Sequence, residues 1–172
     1  MAEKHTCMLF WFVDEGEVRV LLSKRGLSSY EDSIHEDSII AKQSFAGGMQ
    51  IFPGGKVEKN ESLLAAAWRE LCEEAGFSAW YYIQKIIRQE PRRVENRDDF
   101  FAIKLSEEEK EIFTSKIQLS PENESFCWYL VEEVSKFEDL KLYKKGVPEG
   151  ILAMFPDEVR FIMKLANDQL LT

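Results

Sequence analysis

Residues 55–77 of the chain read "GKVEKNESLLAAAWRELCEEAGF". The second half of this stretch predicts a helix over residues 62–75, with Ser62 capping its start and Gly76 ending it. At about 100° per residue, its apolar side chains share one face: Leu64, Ala67, Trp68, Leu71 and Ala75. Three carboxylates, from Glu70, Glu73 and Glu74, span an arc of about 100° on a neighbouring face.

The close spacing of these three glutamates calls for an explanation. Like charges three and four residues apart on a helix repel each other, so the face is either solvated surface or meets something positive. Solvated surface is the commoner role of a charge run. Carboxylates at i, i+3 and i+4 can also hold Mg²⁺, which prefers oxygen ligands, and the small Ala66 leaves room for a ligand to approach. The turn "PGG" at 53–55 allows close backbone approach, and Gly55 can offer its carbonyl as a further ligand.

The spacing of the whole stretch resembles the signature of the Nudix hydrolases, Gx5Ex7REUxEExGU with U aliphatic or bulky apolar, at every fixed position. Five residues separate Gly55 from Glu61, and seven separate Glu61 from Arg69. The preceding "FPGG" is similar to the lead-in common in that family. The resemblance covers about 23 residues and implies a pyrophosphohydrolase that uses Mg²⁺, with Mn²⁺ able to substitute.

The resemblance also implies roles for the residues of this signature, 55–77, which we call the box. Glu73 and Glu74 would be the core metal ligands, and Glu70 a third. Arg69 would orient a ligand glutamate and pair with Glu61. The base that activates water would be a box glutamate such as Glu73, or a carboxylate from a later loop.

The segment "SPENESFCWYLVEEV" at 120–134 resembles the part of the family in which a loop acid precedes a strand that carries tryptophan. Glu122 and Glu124 are therefore candidates for the base, with Glu124 preferred. Three further acids, Glu95, Asp98 and Asp99, are weaker candidates. For each of them, a solvated surface acid is the alternative interpretation.

Basic side chains elsewhere are candidates for substrate binding. Lys24 and Arg25 end the strand "VLLSKR", where the resemblance implies a basic residue that faces the substrate phosphates. Arg92 and Arg93 could reach a phosphate or a ribose. The alternative for the first pair is a solvated strand end.

The totals of the chain point to one soluble domain over residues 1–172. It has 45% hydrophobic and 31% charged residues, which is an ordinary globular composition. A formal charge of -9 disfavours nucleic-acid binding, because an acidic surface repels the phosphate backbone. No apolar run is long enough for a membrane span. Three widely spaced cysteines indicate reduced thiols, and hence a cytoplasmic protein. A homodimer is expected by analogy with the family alone.

The rest of the chain predicts strands mixed with about three helices. Residues 6–13 and the run from Val18 form a hairpin. A long loop or insertion spans 24–46, with a short helix considered around residues 34–42, and an amphipathic helix spans 156–171. Without a regular βαβ alternation this pattern predicts an α+β fold. The resemblance makes it a mixed β-sheet packed between helices, an α/β/α sandwich.

The function implied is hydrolysis of the pyrophosphate bond in a nucleoside diphosphate linked to another moiety. An ADP-ribose or ADP-sugar substrate is favoured, because Pro91 stands fifteen positions after Gly76, near a proline of the ADP-ribose pyrophosphatases. One alternative is a MutT-like enzyme that clears nucleoside triphosphates. Another is a non-catalytic nucleotide-sensing module, although such proteins usually lose box glutamates. Removal of RNA caps is disfavoured by the acidic charge.

Overall fold

The computed structural model describes residues 4–30, 40–42, 44–76, 92–94 and 98–167. The strands are β1 (His5–Asp14), β2 (Glu17–Arg25), β3 (Ser28–Tyr30), β4 (Ile40–Lys42), β5 (Met49–Ile51), β6 (Gly54–Lys56), β7 (Arg92–Val94), β8 (Asp98–Lys104), β9 (Asn123–Leu130), β10 (Glu138–Asp139) and β11 (Ala153–Met154). The helices are α1 (Leu63–Ala75), α2 (Glu107–Lys116), α3 (Val131–Val134) and α4 (Pro156–Asn167), with a 3₁₀ turn at Leu140–Tyr143.

A mixed sheet is built around the hairpin of β1 and β2, which pair antiparallel. β1 also pairs with β6 antiparallel and with β8 parallel, and β7 extends the sheet beyond β8. β2 pairs antiparallel with both β5 and β9. β11 joins β5 and β10, both in parallel. The two central strands therefore bring together the β5–β6 turn and the start of β9, which are far apart in sequence.

Two hydrophobic cores lie on opposite faces of this sheet because successive side chains of a strand point to opposite sides. On β1, Met8 and Phe10 pack with residues of α1 and α2, while Leu9 and Trp11 pack with residues of α3 and α4. Phe113 of α2 is buried in the first core. The predicted α/β/α sandwich is confirmed.

The predicted box helix is confirmed as α1. The Ser62 hydroxyl accepts a hydrogen bond from the Ala65 amide at 3.1 Å. Gly76 adopts the left-handed conformation, with φ of 73°, that glycine tolerates best at a helix end. The predicted room beside Ala66 was wrong, since this side chain is fully buried. Glu70 and Glu74 are buried too, because α1 packs this face against β6 rather than exposing it to solvent.

The strand predicted to end at Lys24 and Arg25 is confirmed as the end of β2, so the predicted insertion at 24–46 begins later in the structure. Lys24 and Arg25 belong to β2, where they pair with β9 and β5. The helix considered around residues 34–42 was wrong for Ile40–Lys42, which pair with Ser28–Tyr30 as a two-stranded antiparallel ribbon. This pairing satisfies backbone groups in a way that local propensity does not foresee. Residues 34–39 and the predicted helix end at 168–171 lie outside the described residues.

Candidate active site

A cleft of about 910 Å³ opens where the start of β6 meets α1 and the loop before β9. Its charged lining comprises five glutamates and three basic side chains: Glu58, Glu70, Glu73, Glu74, Glu122, Lys56, Lys59 and Arg69. Glycines at 54 and 55 leave part of the floor to the backbone. The cleft therefore combines an excess of carboxylates with an accessible backbone.

Arg69 is a hub of hydrogen bonds that links the segment before α1 to the acidic side chains of α1. Its Nε and Nη2 donate to the two carboxylate oxygens of Glu61 at 3.1 and 3.0 Å. Its Nη1 donates to Glu70 at 2.7 Å and to Glu73 at 3.1 Å, and its Nη2 also donates to the carbonyl of Lys56 at 2.8 Å. The fork geometry of a guanidinium makes this possible. The hydrogen bond with Glu61 raises the pKa of Arg69, and the same contact lowers the pKa of Glu61.

Glu70 lies against the backbone of Gly55. A Cβ atom built on Gly55 would lie 2.2 Å from Glu70 Oε1, so only glycine lets this carboxylate come so close. Burial raises the pKa of Glu70, while its hydrogen bond with Arg69 opposes the rise. The contact explains why a glycine is needed where the box begins.

Glu74 is the most deeply placed carboxylate of the cleft. Its Oε2 accepts a hydrogen bond from the Gly54 amide at 2.7 Å, and its Oε1 accepts one from Asn123 Nδ2 at 3.2 Å. Burial raises the pKa of Glu74 to about 8 against these two hydrogen bonds. A buried carboxylate of this kind is a feature of functional sites.

Comparison with known proteins now identifies the family. The NUDIX domain model matches residues 5–149, well over half of the chain. The chain belongs to the Nudix family. None of the curated proteins compared with it matches its sequence significantly.

Solved structures of other Nudix proteins share this fold. A mutT/nudix family protein from Listeria innocua has a TM-score of 0.56 at 19% identity, over 99% of this chain and 98% of that one. An Ap4A hydrolase of C. elegans, solved as a binary complex, has a TM-score of 0.55 at 14% identity, over 98% of both chains. The NUDIX domain of Shewanella oneidensis NrtR, complexed with ADP ribose, has a TM-score of 0.54 at 15% identity, over 99% of this chain and 89% of that one. At such low identity these similarities show the fold alone.

The two acids predicted for the base lie in different places in this Nudix domain. Glu122 lines the cleft beside the box carboxylates. Glu124 instead accepts a hydrogen bond from Lys24 Nζ at 3.1 Å, and both residues line a second cavity of about 490 Å³. Asp98 and Asp99 are at the start of β8, but their side chains, like all of Glu95, lie outside what the structure describes.

The predicted phosphate-binding residues are also divided. Lys24 lines the second cavity. Arg25 is partly buried and donates a hydrogen bond from Nη1 to Gln50 Oε1 at 2.6 Å; burial lowers its pKa. Arg92 and Arg93 begin β7, and their side chains are outside the described part of the chain. Sequence reasoning missed Lys56, which lines the cleft together with Lys59.

Sequence reasoning also missed Asn123, the buried partner of Glu74. It stands between the two candidate acids of the loop, and an amide at that position carried no signal of its own. A second missed residue, Ser23, is fully buried and donates to Asn123 Oδ1 at 2.6 Å. Its position two residues after the buried Leu21 would have placed both on one face of the strand.

The donor set of the cleft fits a hard divalent cation in chemistry, since it consists of carboxylate and backbone oxygens. A bound cation would offset the excess of glutamates over basic residues in this lining. Within the described residues, however, no three acidic, histidine or cysteine side chains are already grouped to hold an ion. Arg69 engages Glu70 and Glu73 instead. Arg69 contacts one oxygen of each of these two carboxylates, Oε1 of Glu70 and Oε2 of Glu73.

No helix in the described part of the chain has both the length and the apolar character needed to cross a bilayer.

The raised pKa of Glu74 predicts how the metal-free protein responds to pH. An acid whose folded pKa is raised binds its proton more tightly when folded, so its contribution to stability is complete below the unfolded pKa of about 4.5 and is lost as pH rises through about 8. We expect the midpoint of thermal unfolding in EDTA to fall between pH 5 and 8.5. Glu74→Gln should flatten this slope, and an equal slope in the variant would assign the effect to other groups.

Proposed function

We propose that this Nudix protein hydrolyses the pyrophosphate bond of a nucleoside diphosphate linked to another moiety, with Mg²⁺ as cofactor. The observation that carries the proposal is the Arg69 hub, which links Glu70 and Glu73, both in the lining of one open cleft, to Glu61. In the reaction, water attacks one phosphorus and the bond from that phosphorus to the bridging oxygen breaks. The products are a nucleoside monophosphate and a phosphorylated partner.

Four groups of the cleft would hold the metal: the carboxylates of Glu70, Glu73 and Glu74 and the carbonyl of Gly55. When bound, Mg²⁺ supplies positive charge that neutralises the diphosphate and acidifies a bound water. The support in this chain is the convergence of these residues on one cleft, where Gly55 and Glu70 are in direct contact.

The remaining residues of the cleft would position the substrate and accept the proton. Arg69 and Glu61 hold the loop against the helix. Lys56 and Lys59, which line the cleft, are better placed than Lys24 to bind the phosphates. Glu73 has 58% of its side chain exposed, so it can reach a water in the cleft and accept its proton.

Glu122 is the proposed alternative base, because it lines the cleft and Glu124 does not. Comparing Glu122→Gln with Glu124→Gln should show which of these two acids contributes to catalysis. A loss of activity for Glu122→Gln, with Glu124→Gln close to the wild type, would place the loop acid at Glu122. The opposite result would return the assignment to Glu124.

The substrate proposed first is ADP-ribose or an ADP-sugar. The NUDIX domain of NrtR was solved with ADP ribose, and its fold extends over 99% of this chain. Pro91, whose position favoured the same substrate, lies outside the described residues. An Ap4A hydrolase and a mutT/nudix protein share the fold equally well, so dinucleoside polyphosphates and nucleoside triphosphates belong in the same test.

The test is a hydrolysis screen with Mg²⁺ and with Mn²⁺, followed by chromatography of the products. It includes ADP-ribose, ADP-sugars, dinucleoside polyphosphates, coenzyme A, and normal and oxidised nucleoside triphosphates. We expect ADP-ribose to give AMP and ribose 5-phosphate only when metal is present. Absence of metal-dependent turnover across the panel would overturn the enzyme proposal in favour of a nucleotide-sensing module. Glu73→Gln protein, purified in parallel, controls for contaminating hydrolases.

A further inference from the structure

A directed chain of hydrogen bonds runs from the partly buried cation of Arg25 to the most deeply placed carboxylate of the cleft, that of Glu74. Arg25 Nη1 donates to Gln50 Oε1 at 2.6 Å, and Gln50 Nε2 donates to Asn123 Oδ1 at 3.0 Å. Asn123 Nδ2 then donates to Glu74 Oε1 at 3.2 Å. Every link donates towards Glu74, so each bond polarises the next in the same sense.

The neighbouring groups fix the orientation of both amides in this chain. Asn123 Oδ1 accepts from two donors, Ser23 Oγ at 2.6 Å and Gln50 Nε2 at 3.0 Å. A flipped Asn123 would turn its NH₂ group towards the NH₂ of Gln50 and its oxygen towards the carboxylate of Glu74. A flipped Gln50 would turn its NH₂ group towards Arg25. Each amide therefore has one orientation that satisfies all its partners.

Part of this hydrogen-bond chain is buried, and hydrogen bonds are stronger in a buried environment than in water. Asn123 is 4% exposed and Ser23 is fully buried, so little water competes for these groups. The participants come from β2, β5, β9 and α1, four elements that the sheet and the box helix hold together. The network is therefore anchored on the rigid frame of the domain rather than on a surface loop.

We propose that Asn123 is the positioning residue of Glu74, and that Gln50 and Arg25 act through it. This inference rests on the proposed function, in which Glu74 is a metal ligand. The Gly54 amide restrains Oε2 of Glu74 and Asn123 restrains Oε1, so the plane of the carboxylate is fixed on both sides.

The amide of Asn123 suits a residue that orients Glu74, and it excludes Asn123 as the catalytic base. A neutral donor orients Glu74 without the repulsion of a second carboxylate and without the neutralisation that an arginine or lysine would bring. An amide has no proton to exchange at neutral pH, so Asn123 is not the base. Its role resembles that of the groups behind metal ligands in other proteins, whose loss typically costs 10–100-fold in metal affinity or activity.

The first experiment measures Mn²⁺ binding to the free protein by electron paramagnetic resonance, without substrate. Asn123→Ala should weaken Mn²⁺ binding by about 10-fold, since the carboxylate of Glu74 loses its restraint. In the same variant kcat should fall by about 10–100-fold, with KM changed less than about threefold. Ser125→Ala is the matched control, because this exposed residue lies two positions along the same strand and lines the second cavity. It should bind Mn²⁺ like the wild type.

The second experiment tests whether Gln50 acts through Asn123. Gln50→Met keeps the volume of the side chain and removes both of its hydrogen bonds in the chain, so it should weaken Mn²⁺ binding in the same direction by about 3–10-fold. The double variant with Asn123→Ala should bind Mn²⁺ as weakly as Asn123→Ala alone. Because Gln50→Met leaves Asn123 in place, it tests the proposal even where Asn123→Ala fails to fold.

The outcomes separate this inference from the proposed function. Unchanged Mn²⁺ affinity in both folded single variants, or fully additive losses in the double variant, would overturn the positioning role while leaving the hydrolase proposal intact. Wild-type protein that binds no Mn²⁺ would instead contradict the metal assignment on which both depend.

Discussion

Glu73→Gln is expected to lower metal-dependent hydrolysis by about 10²–10³-fold while the fold survives, because the change removes one charged oxygen ligand from the reaction site. Its side chain is 58% exposed, and its one ion pair in the described site, with Arg69 at 3.1 Å, joins residues four apart on a helix. Exposed pairs of this kind contribute about 0–1 kcal/mol, so the free energy of unfolding should change little.

The measurement is kcat with the best substrate of the screen, alongside thermal unfolding. Glu108→Gln is the matched control, since Glu108 is an exposed glutamate on α2, outside the cleft lining. It should leave kcat and the unfolding midpoint near the wild-type values. A Glu73→Gln protein with close to full activity would show that the metal and catalytic roles assigned to Glu73 are wrong.

Arg69→Ala should produce the largest loss of stability, about 2–3 kcal/mol, because it leaves Glu61 and Glu70 without their shared partner. The side chain of Glu70 is only 11% exposed, so water compensates poorly for the missing guanidinium. For a chain of this size the loss corresponds to a fall of about 5–10 °C in the unfolding midpoint. Activity should fall as well, because the loop and the helix lose their common link.

Arg69→Lys separates the charge of this residue from its geometry. Lysine keeps the positive charge but cannot donate to both oxygens of Glu61 through a planar fork. It should recover less than half of the stability lost in Arg69→Ala. Full recovery would mean that charge alone holds the box together, and that the five hydrogen bonds of the guanidinium add nothing.

The box helix was predictable because its signals are local. The cap at Ser62, the glycine end at 76 and the apolar spacing between them all lie within one short stretch, and the structure has each of them. Sequence spacing also placed Glu70, Glu73 and Glu74 on one side of that helix. Which of them is buried was not predictable, since it depends on β6, a strand that packs against α1.

The partners of the box come from distant positions, and no local pattern announces them. Asn123 is 49 positions from Glu74, 73 from Gln50 and 100 from Ser23. These residues meet only because β2 pairs with both β5 and β9 in one sheet. Spacing along the chain carries no information about such a meeting.

The assignment of Lys24, Arg25 and Glu124 shows most clearly what was left to the tertiary structure. The sequence alone identified a basic strand end at Lys24 and Arg25 and an acidic loop before the strand that carries tryptophan. The register of β2 with β9 shifts between Lys24 and Arg25, so that Lys24 pairs with Ser125 and Arg25 with Asn123. Glu124 is the extra residue of that bulge and pairs with Lys24 at the second cavity, while Asn123 is buried and donates a hydrogen bond to Glu74. A bulge resets the alternation of side chains along a strand, and therefore only the paired sheet decides which residue meets the active site.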